Sequence, residues 1–161
     1  MSDPTPLSID DIVRLVRASA EAIAMEVRAL GPLATVRPAD GEWCANEVVG
    51  HLIETDRRTP ASRVRTMIAE DRPAFEKWDQ PAVAAARRDH ERETESLLAE
   101  FLAAREADIA YVSTLDASVF GRVGVHPRQG DMTVEAVLRK WVRHDREHLG
   151  QILAVMDHLA R

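Results

Sequence analysis

The chain has 161 residues, and its 21 lysines and arginines against 27 aspartates and glutamates give a net charge of −6. A single cysteine excludes a disulfide framework and every zinc or iron–sulfur motif that needs several cysteines. The length predicts one domain, residues 1–161, and the acidic balance argues against a surface built for nucleic acid or anionic lipid. No apolar run approaches the roughly 18 residues of a membrane span, and no leader pattern is visible, so we expect a cytoplasmic protein.

Helix-forming residues and apolar spacings of three and four residues predict an all-α chain. Ser8, with Asp11 three residues later, has the pattern of a capping box at the start of a first helix, which ends at Gly31. A second helix is predicted after Trp43. Pro60 breaks or kinks this helix, and an apolar pattern continues it to about residue 68.

The second half of the chain contains two further predicted helices, separated by long connections. Residues 71–81 hold two prolines and are interpreted as a crossover, and residues 83–115 are predicted as a third helix. Residues 116–132 form a loop in which residues 119–125 could be an extended ribbon. Thr133 fits the N-cap of a fourth helix that runs to about residue 159. Four long helices predict a four-helix bundle.

His144 and His148 lie four residues apart on the predicted fourth helix. At about 100° per residue, both fall on or beside the apolar face that contains Trp141 and Ile152. A buried imidazole needs partners for both nitrogens or loses about 1–3 kcal/mol, and one metal ion satisfies two such rings at once. The alternative is that each ring bonds a carboxylate or carbonyl of another helix, and for this pair alone we favour that alternative.

A third histidine, His51, lies next to the apolar face of the second predicted helix. Three histidines from two helices would leave open coordination positions on a metal for water or substrate. The other histidines have different surroundings: His158 falls on the polar edge of its helix, His90 in a charged run, and His126 in a loop, where it could only line the rim of a pocket.

Acidic residues near these histidines have two interpretations each. Residues 144–148 match H-x-x-E-H, the inverted zinc-peptidase pattern, but the helical projection places Glu147 on the charged face. Asp145 projects inward, so it is a candidate to orient a ligand histidine or accept a proton from metal-bound water, or else a buried acid paired with an arginine of another helix. Glu47 is interpreted as a first-turn acid favoured by the helix dipole, and Cys44 as a packed residue of the cap region.

Two stretches of the sequence resemble the signatures of the DinB-like superfamily. They are residues 41–53, GEWCANEVVGHLI, and residues 122–152, with RVGVHP, GDMT, WVRHDREHL and QI in that order. The resemblance spans about residues 7–159. It implies a four-helix bundle in an up-down-down-up arrangement with long crossover connections, and a divalent metal held by His51, His144 and His148. Cys44 stands where the family often has a serine cap, which leaves the ligand set unchanged.

The family contains S-transferases that use low-molecular-weight thiols, a maleylpyruvate isomerase, proteins assigned as hydrolases, and many members without known activity. The resemblance therefore implies a metal-dependent hydrolase or thiol S-transferase that acts on a small-molecule substrate. It also implies zinc, nickel, manganese or iron as the metal, a low-molecular-weight thiol as a possible second cofactor, and a homodimer. The alternative is a non-catalytic bundle in which the metal is a structural staple, or which binds a partner or small ligand. DNA binding is disfavoured because the arginines of residues 87–93 alternate with acids.

Overall fold

The structure, a computed structural model, describes residues 6–159. Its helices are α1 (Ile9–Leu30), α2 (Ala45–Arg58), α3 (Pro60–Ala69), α4 (Gln80–Arg87), α5 (Thr94–Val112) and α6 (Val134–Leu159). Its strands are β1 (Val123–His126) and β2 (Gly130–Thr133). Within residues 6–159, no helix combines the length and the apolar character that crossing a membrane requires.

Two clusters of buried apolar side chains show the direction in which the long helices run. One cluster joins the C-terminal half of α1 to the N-terminal halves of α2 and α5 and to Ile152 near the end of α6. The other joins Ile12 and Val16 at the start of α1 to α3, to the end of α5 and to the start of α6. Helices α1 and α6 therefore run one way, and α2–α3 and α5 run the other way. This confirms the predicted four-helix bundle with up-down-down-up topology.

Helix boundaries follow the predicted capping signals. Ser8 Oγ accepts a hydrogen bond from the Asp11 N–H, and the Asp11 carboxylate accepts one from the Ser8 N–H, both at 3.1 Å. This reciprocal pair is the capping box that starts α1. Thr133 Oγ1 accepts from the Ala136 N–H at 3.1 Å and caps α6. Pro60 is the first residue of α3, which confirms the predicted break after α2.

The prediction of one continuous third helix over residues 83–115 is wrong. Helix α4 ends at Arg87, and Arg88 adopts the left-handed conformation with φ of 52°. The buried Asp89 carboxylate holds this break through an ion pair with Arg87 Nε at 2.6 Å. The Glu93 carboxylate then accepts two backbone N–H groups of the next turn and starts α5. A local ion pair and a new cap therefore interrupt a sequence with high helix propensity throughout.

A two-stranded hairpin lies between α5 and α6. Strands β1 and β2 are antiparallel, with His126 opposite Gly130. The crossover segment between α3 and α4 bonds to the outer side of β1, where Val125 N–H donates to the Pro73 carbonyl at 2.8 Å and its carbonyl accepts from Phe75 N–H at 3.0 Å. The predicted ribbon is thus confirmed in part, since residues 117–121 form a 3-10 turn and β2 lies in residues predicted as loop.

Candidate metal centre

Three histidine side chains meet between α2 and α6. The Nε2 atom of His144 lies 3.3 Å from Nε2 of His51 and 3.1 Å from Nε2 of His148. One potential ligand atom from each ring lies within 4.8 Å of the other two. Two nitrogens bound tetrahedrally to one zinc ion at about 2.0–2.1 Å would be about 3.4 Å apart. The observed spacing therefore suits a single metal ion.

Burial keeps the three imidazoles neutral near pH 7. Desolvation, with a further contribution from the charge of His148, lowers the pKa of His51 to about 4 and the pKa of His144 to about 3. Desolvation also lowers the pKa of His148. A neutral imidazole is the form that binds metal ions. The electrostatics of the site therefore suit a cation better than a cluster of protonated rings.

Hydrogen bonds outside the cluster set the orientation of the rings. His148 Nδ1 lies 2.8 Å from Oε1 of Gln151, so Nδ1 donates and Nε2 presents its lone pair to the centre. A hydrogen on Nε2 of His144 can point to only one of its two neighbours. The Nδ1 atoms of His51 and His144 have no hydrogen-bond partner within residues 6–159. Hydrogen bonds among the Nε2 atoms therefore cannot satisfy all three rings at once, whereas a cation at the centre would engage all three Nε2 atoms.

Two tryptophans flank the His51 ring. The Trp43 ring centroid lies 5.1 Å from that of His51, and the Trp78 ring stacks at 6.1 Å with an interplanar angle of 17°. Trp43 precedes α2, and Trp78 lies on the crossover segment before α4. These indole rings cover two sides of His51 and limit the access of water to it.

A buried ion cluster behind the histidines ties α5 to α2 and α6. Arg105, only 1% exposed, donates from Nε to Asp56 at 2.9 Å and from Nη2 to Asp145 at 3.0 Å. Trp141 Nε1 also donates to Asp56, at 3.2 Å. Burial of two carboxylates around one guanidinium raises the pKa of Asp145 to about 6 and also raises the pKa of Asp56. Because Asp145 adjoins His144, this cluster fixes the rotation of α6 at the centre.

A cavity of about 320 Å³ opens beside His144. It lies between the end of α2, the crossover segment, the hairpin turn and the first half of α6, and Trp78 and Trp141 form part of its wall. Its volume falls in the range of small-ligand sites. His126 lines the cavity, as its predicted place on a pocket rim requires. A small molecule in this cavity would be in reach of the histidine cluster.

Residues 28–152 match the family model of the DinB superfamily. The chain belongs to this superfamily. It is similar in structure to YfiT from Bacillus subtilis, described as a probable metal-dependent hydrolase with an unusual four-helix bundle topology. That match has a TM-score of 0.85 and 19% identity, and it covers 99% of this chain and 94% of YfiT. A mycothiol-dependent maleylpyruvate isomerase matches with a TM-score of 0.74 and 9% identity over 94% of this chain and 63% of its own. Curated proteins gave no match.

The DinB fold brings the three predicted histidines together, and their binding of a metal stays a prediction. Asp145 adopts the second of its two predicted arrangements, a buried acid paired with an arginine of another helix. Within the described part of the chain, no carboxylate accepts from Nδ1 of His144, so Asp145 does not orient that ring directly. A catalytic role for Asp145 stays a prediction. Glu147 lies on the exposed face and pairs with Arg143 at 3.3 Å, as the helical projection indicates.

Two residues near the start of α2 have the structural roles predicted for them in this DinB chain. The Glu47 carboxylate accepts the Cys44 N–H at 3.0 Å and forms a short ion pair with Arg37, so it acts as the acid of the first turn. Cys44 is fully buried, and desolvation raises its pKa to about 11. The thiol is therefore a packed residue of the cap region.

The sequence did not predict several residues that line the cavity beside His144. Thr55 follows His51 by one helical turn, and Lys140 precedes His144 by one turn, and both line the cavity. Spacing by four residues from each histidine was the signal that could have found them. Trp78 and Arg63 carry no such signal, because the path of the crossover segment and the bend at α3 bring them to the site.

Proposed function

We propose that this DinB protein is a metal-dependent enzyme, either a hydrolase or a low-molecular-weight-thiol S-transferase, with His51, His144 and His148 as its metal ligands. The observation that carries this proposal is the convergence of three neutral Nε2 atoms at separations of 3.1 and 3.3 Å. A bound divalent cation would polarise a substrate carbonyl and lower the pKa of a water molecule or thiol.

The charge, orientation and accessibility of the histidine cluster suit such chemistry. Three imidazoles contribute no negative charge, so they leave the charge of a cation uncompensated. Gln151 holds His148 in the tautomer that presents Nε2. Trp43 and Trp78 shield His51, while the cavity gives a substrate access on the side of His144. Access from one side and shielding from the other are what an enzyme needs to bind a substrate against a reactive centre.

The metal, the substrate and the assembly are part of the proposal. An all-imidazole ligand set suits zinc, nickel and iron, and manganese is the fourth candidate. A small molecule is the substrate that a cavity of about 320 Å³ can hold. The descriptions of YfiT and the mycothiol-dependent isomerase support a metal-dependent or thiol-dependent reaction. A homodimer and a cytoplasmic location stay predictions.

Metal binding by untagged protein tests the proposal. Elemental analysis and calorimetric titration with Zn²⁺ should give about one ion per chain. His148→Gln should weaken Zn²⁺ binding at least tenfold, because it removes one of three ligands. The matched control is His158→Gln, an exposed histidine on the same helix, which should bind Zn²⁺ as the parent does. Trace metal in the purified protein together with no rebinding of zinc, nickel or manganese would contradict the proposal.

A structural staple is the second candidate function. It is favoured by the burial of His51, which is 5% exposed, because a metal there would join α2 to α6 inside the bundle. Thermal melts with and without an uncharged chelator, combined with assays on esters, amides and thiols, separate the two functions. Loss of turnover with little change in melting temperature indicates an enzyme. A large fall in melting temperature, with no turnover by the metal-loaded protein, indicates a staple.

A further inference from the structure

In the part of the chain that the structure describes, cations and no carboxylate line the cavity beside the histidine cluster. Its lining includes Arg63, Lys77, Arg128 and Lys140. The chain as a whole carries a net charge of −6, so the cavity has the opposite sign to the rest of the protein. Within residues 6–159, none of these four side chains forms an ion pair. A pocket of one sign with low-dielectric walls concentrates ligands of the opposite charge.

Arg63 differs from Arg87, another half-buried arginine of the chain. Arg87 pairs with Glu54 at 2.8 Å. Arg63 instead lies over the Phe75 ring, with its guanidinium carbon 5.0 Å from the ring centroid, and desolvation lowers its pKa. A half-buried cation without a counter-anion is costly, and an anionic ligand would remove that cost.

Lys140 brings a second cation to the same place. It lies one turn before His144 on α6, so the two side chains share a face of the helix. Its Nζ donates to Oε1 of Gln129 at 3.0 Å. Desolvation, followed by the charges of Arg63, Arg143 and Arg128, lowers the pKa of Lys140, and the charge of Glu147 opposes this shift. Cations from α3, the hairpin turn and α6 therefore act on one region of the cavity.

We infer that this cavity binds a small organic acid, with its carboxylate on Arg63 and Lys140 and its apolar body against Trp78. A guanidinium offers two parallel N–H groups to a carboxylate, and the half-buried indole of Trp78 offers a flat apolar surface. The other end of such a molecule would lie toward His144. Binding of the acid needs no metal. That the bound acid is also a substrate rests on the proposed function.

Calorimetric titration of metal-free protein with matched acid and amide pairs tests the inference. The probes are phenylacetate with phenylacetamide, and 2-naphthylacetate with its amide. We expect at least one acid to bind at least tenfold more tightly than its amide, and added salt to weaken the acid selectively. Arg63→Gln and Lys140→Gln should each weaken that acid about tenfold or more. Arg146→Gln, which removes the same charge from the exposed face of α6, should leave binding unchanged.

The outcomes separate this inference from the proposed function. Acid-selective binding that Arg63→Gln weakens by about tenfold or more supports the inference, even if the protein fails to bind Zn²⁺ and the proposed function fails. Equal binding of acid and amide, or no binding of any of the four probes, overturns the inference even if Zn²⁺ binds to the three histidines. Weakening by Arg146→Gln as large as that by Lys140→Gln also overturns it, because the effect would then come from net charge.

Discussion

Replacing Arg105 with methionine should strongly destabilise the bundle. The guanidinium makes two hydrogen bonds to Asp56 and two to Asp145, and both carboxylates are almost completely buried. Removing one partner of a buried ion pair costs about 3–5 kcal/mol, because the remaining charge has neither water nor a counter-ion. We therefore expect Arg105→Met to lower the free energy of unfolding by about 3–5 kcal/mol at pH 7.5.

The destabilisation should also depend on pH in a defined direction. Burial already raises the pKa of Asp145 to about 6 and raises that of Asp56, and loss of the guanidinium raises both further. When folding raises the pKa of a carboxyl group, that group stabilises the folded state, and its full contribution is present below the pKa it has in the unfolded chain. The contribution is lost as the pH rises through the pKa it has in the folded protein. The deficit of the variant should therefore be smaller at pH 5 than at pH 7.5, by about 1–3 kcal/mol at about 1.4 kcal/mol per pKa unit.

Urea unfolding followed by circular dichroism at the two pH values measures both effects. The control is Arg17→Met, which removes an exposed ion pair with Glu106, 3.0 Å long, between α1 and α5 and should cost less than about 1 kcal/mol. Arg105→Lys keeps the charge without the forked geometry and should give an intermediate loss of stability. It provides the measurement if the methionine variant does not fold. A loss no greater than that of Arg17→Met, or equal deficits at pH 5 and pH 7.5, would refute the reasoning.

Three further predictions concern other buried groups. Asp108→Asn should raise the melting temperature increasingly from pH 4 to pH 8, because burial raises the pKa of Asp108 to about 7 and ionisation there opposes folding; a pH-independent effect would contradict this. Gly50→Ala should cost about 1–3 kcal/mol in urea unfolding, since its Cβ would lie 1.7 Å from Asp89 Oδ2, whereas Gly150→Ala, with open space around it, should be neutral or stabilising. The Cys44 thiol, fully buried with a pKa of about 11, should react with a disulfide reagent only after unfolding, and rapid labelling of folded protein would be the contrary result.

Helical periodicity explains why the histidine cluster could be predicted. A regular helix turns by about 100° per residue, so the inward direction of His144 and His148 follows from the apolar residues around them. His51 could be placed on an apolar face by the same geometry. The distances between the rings could not, because they depend on how α2 packs against α6, which no local pattern specifies.

Tertiary interactions explain what the sequence did not predict. The break between α4 and α5 is held by Asp89, whose backbone carbonyl also accepts from the Asn46 side chain at 3.3 Å, 43 residues away in the chain. Helix propensity over residues 83–115 does not indicate a partner that lies so far away in the sequence. The identity of the partner of Asp145 was equally hidden, since the chain has many arginines and only the packing of α5 brings Arg105 to it.

The ribbon formed by the hairpin and the crossover segment carries Trp78, His126 and Arg128 toward the opening of the cavity, while the three histidines lie on helices. Substitutions that change the shape of the ribbon should change which molecules enter the cavity without disturbing α2 and α6, which hold the three histidines. Relatives with the same histidine triplet but another ribbon should consequently differ in what they accept. Exchange of residues 122–133 between two such bundles is the natural way to transplant selectivity.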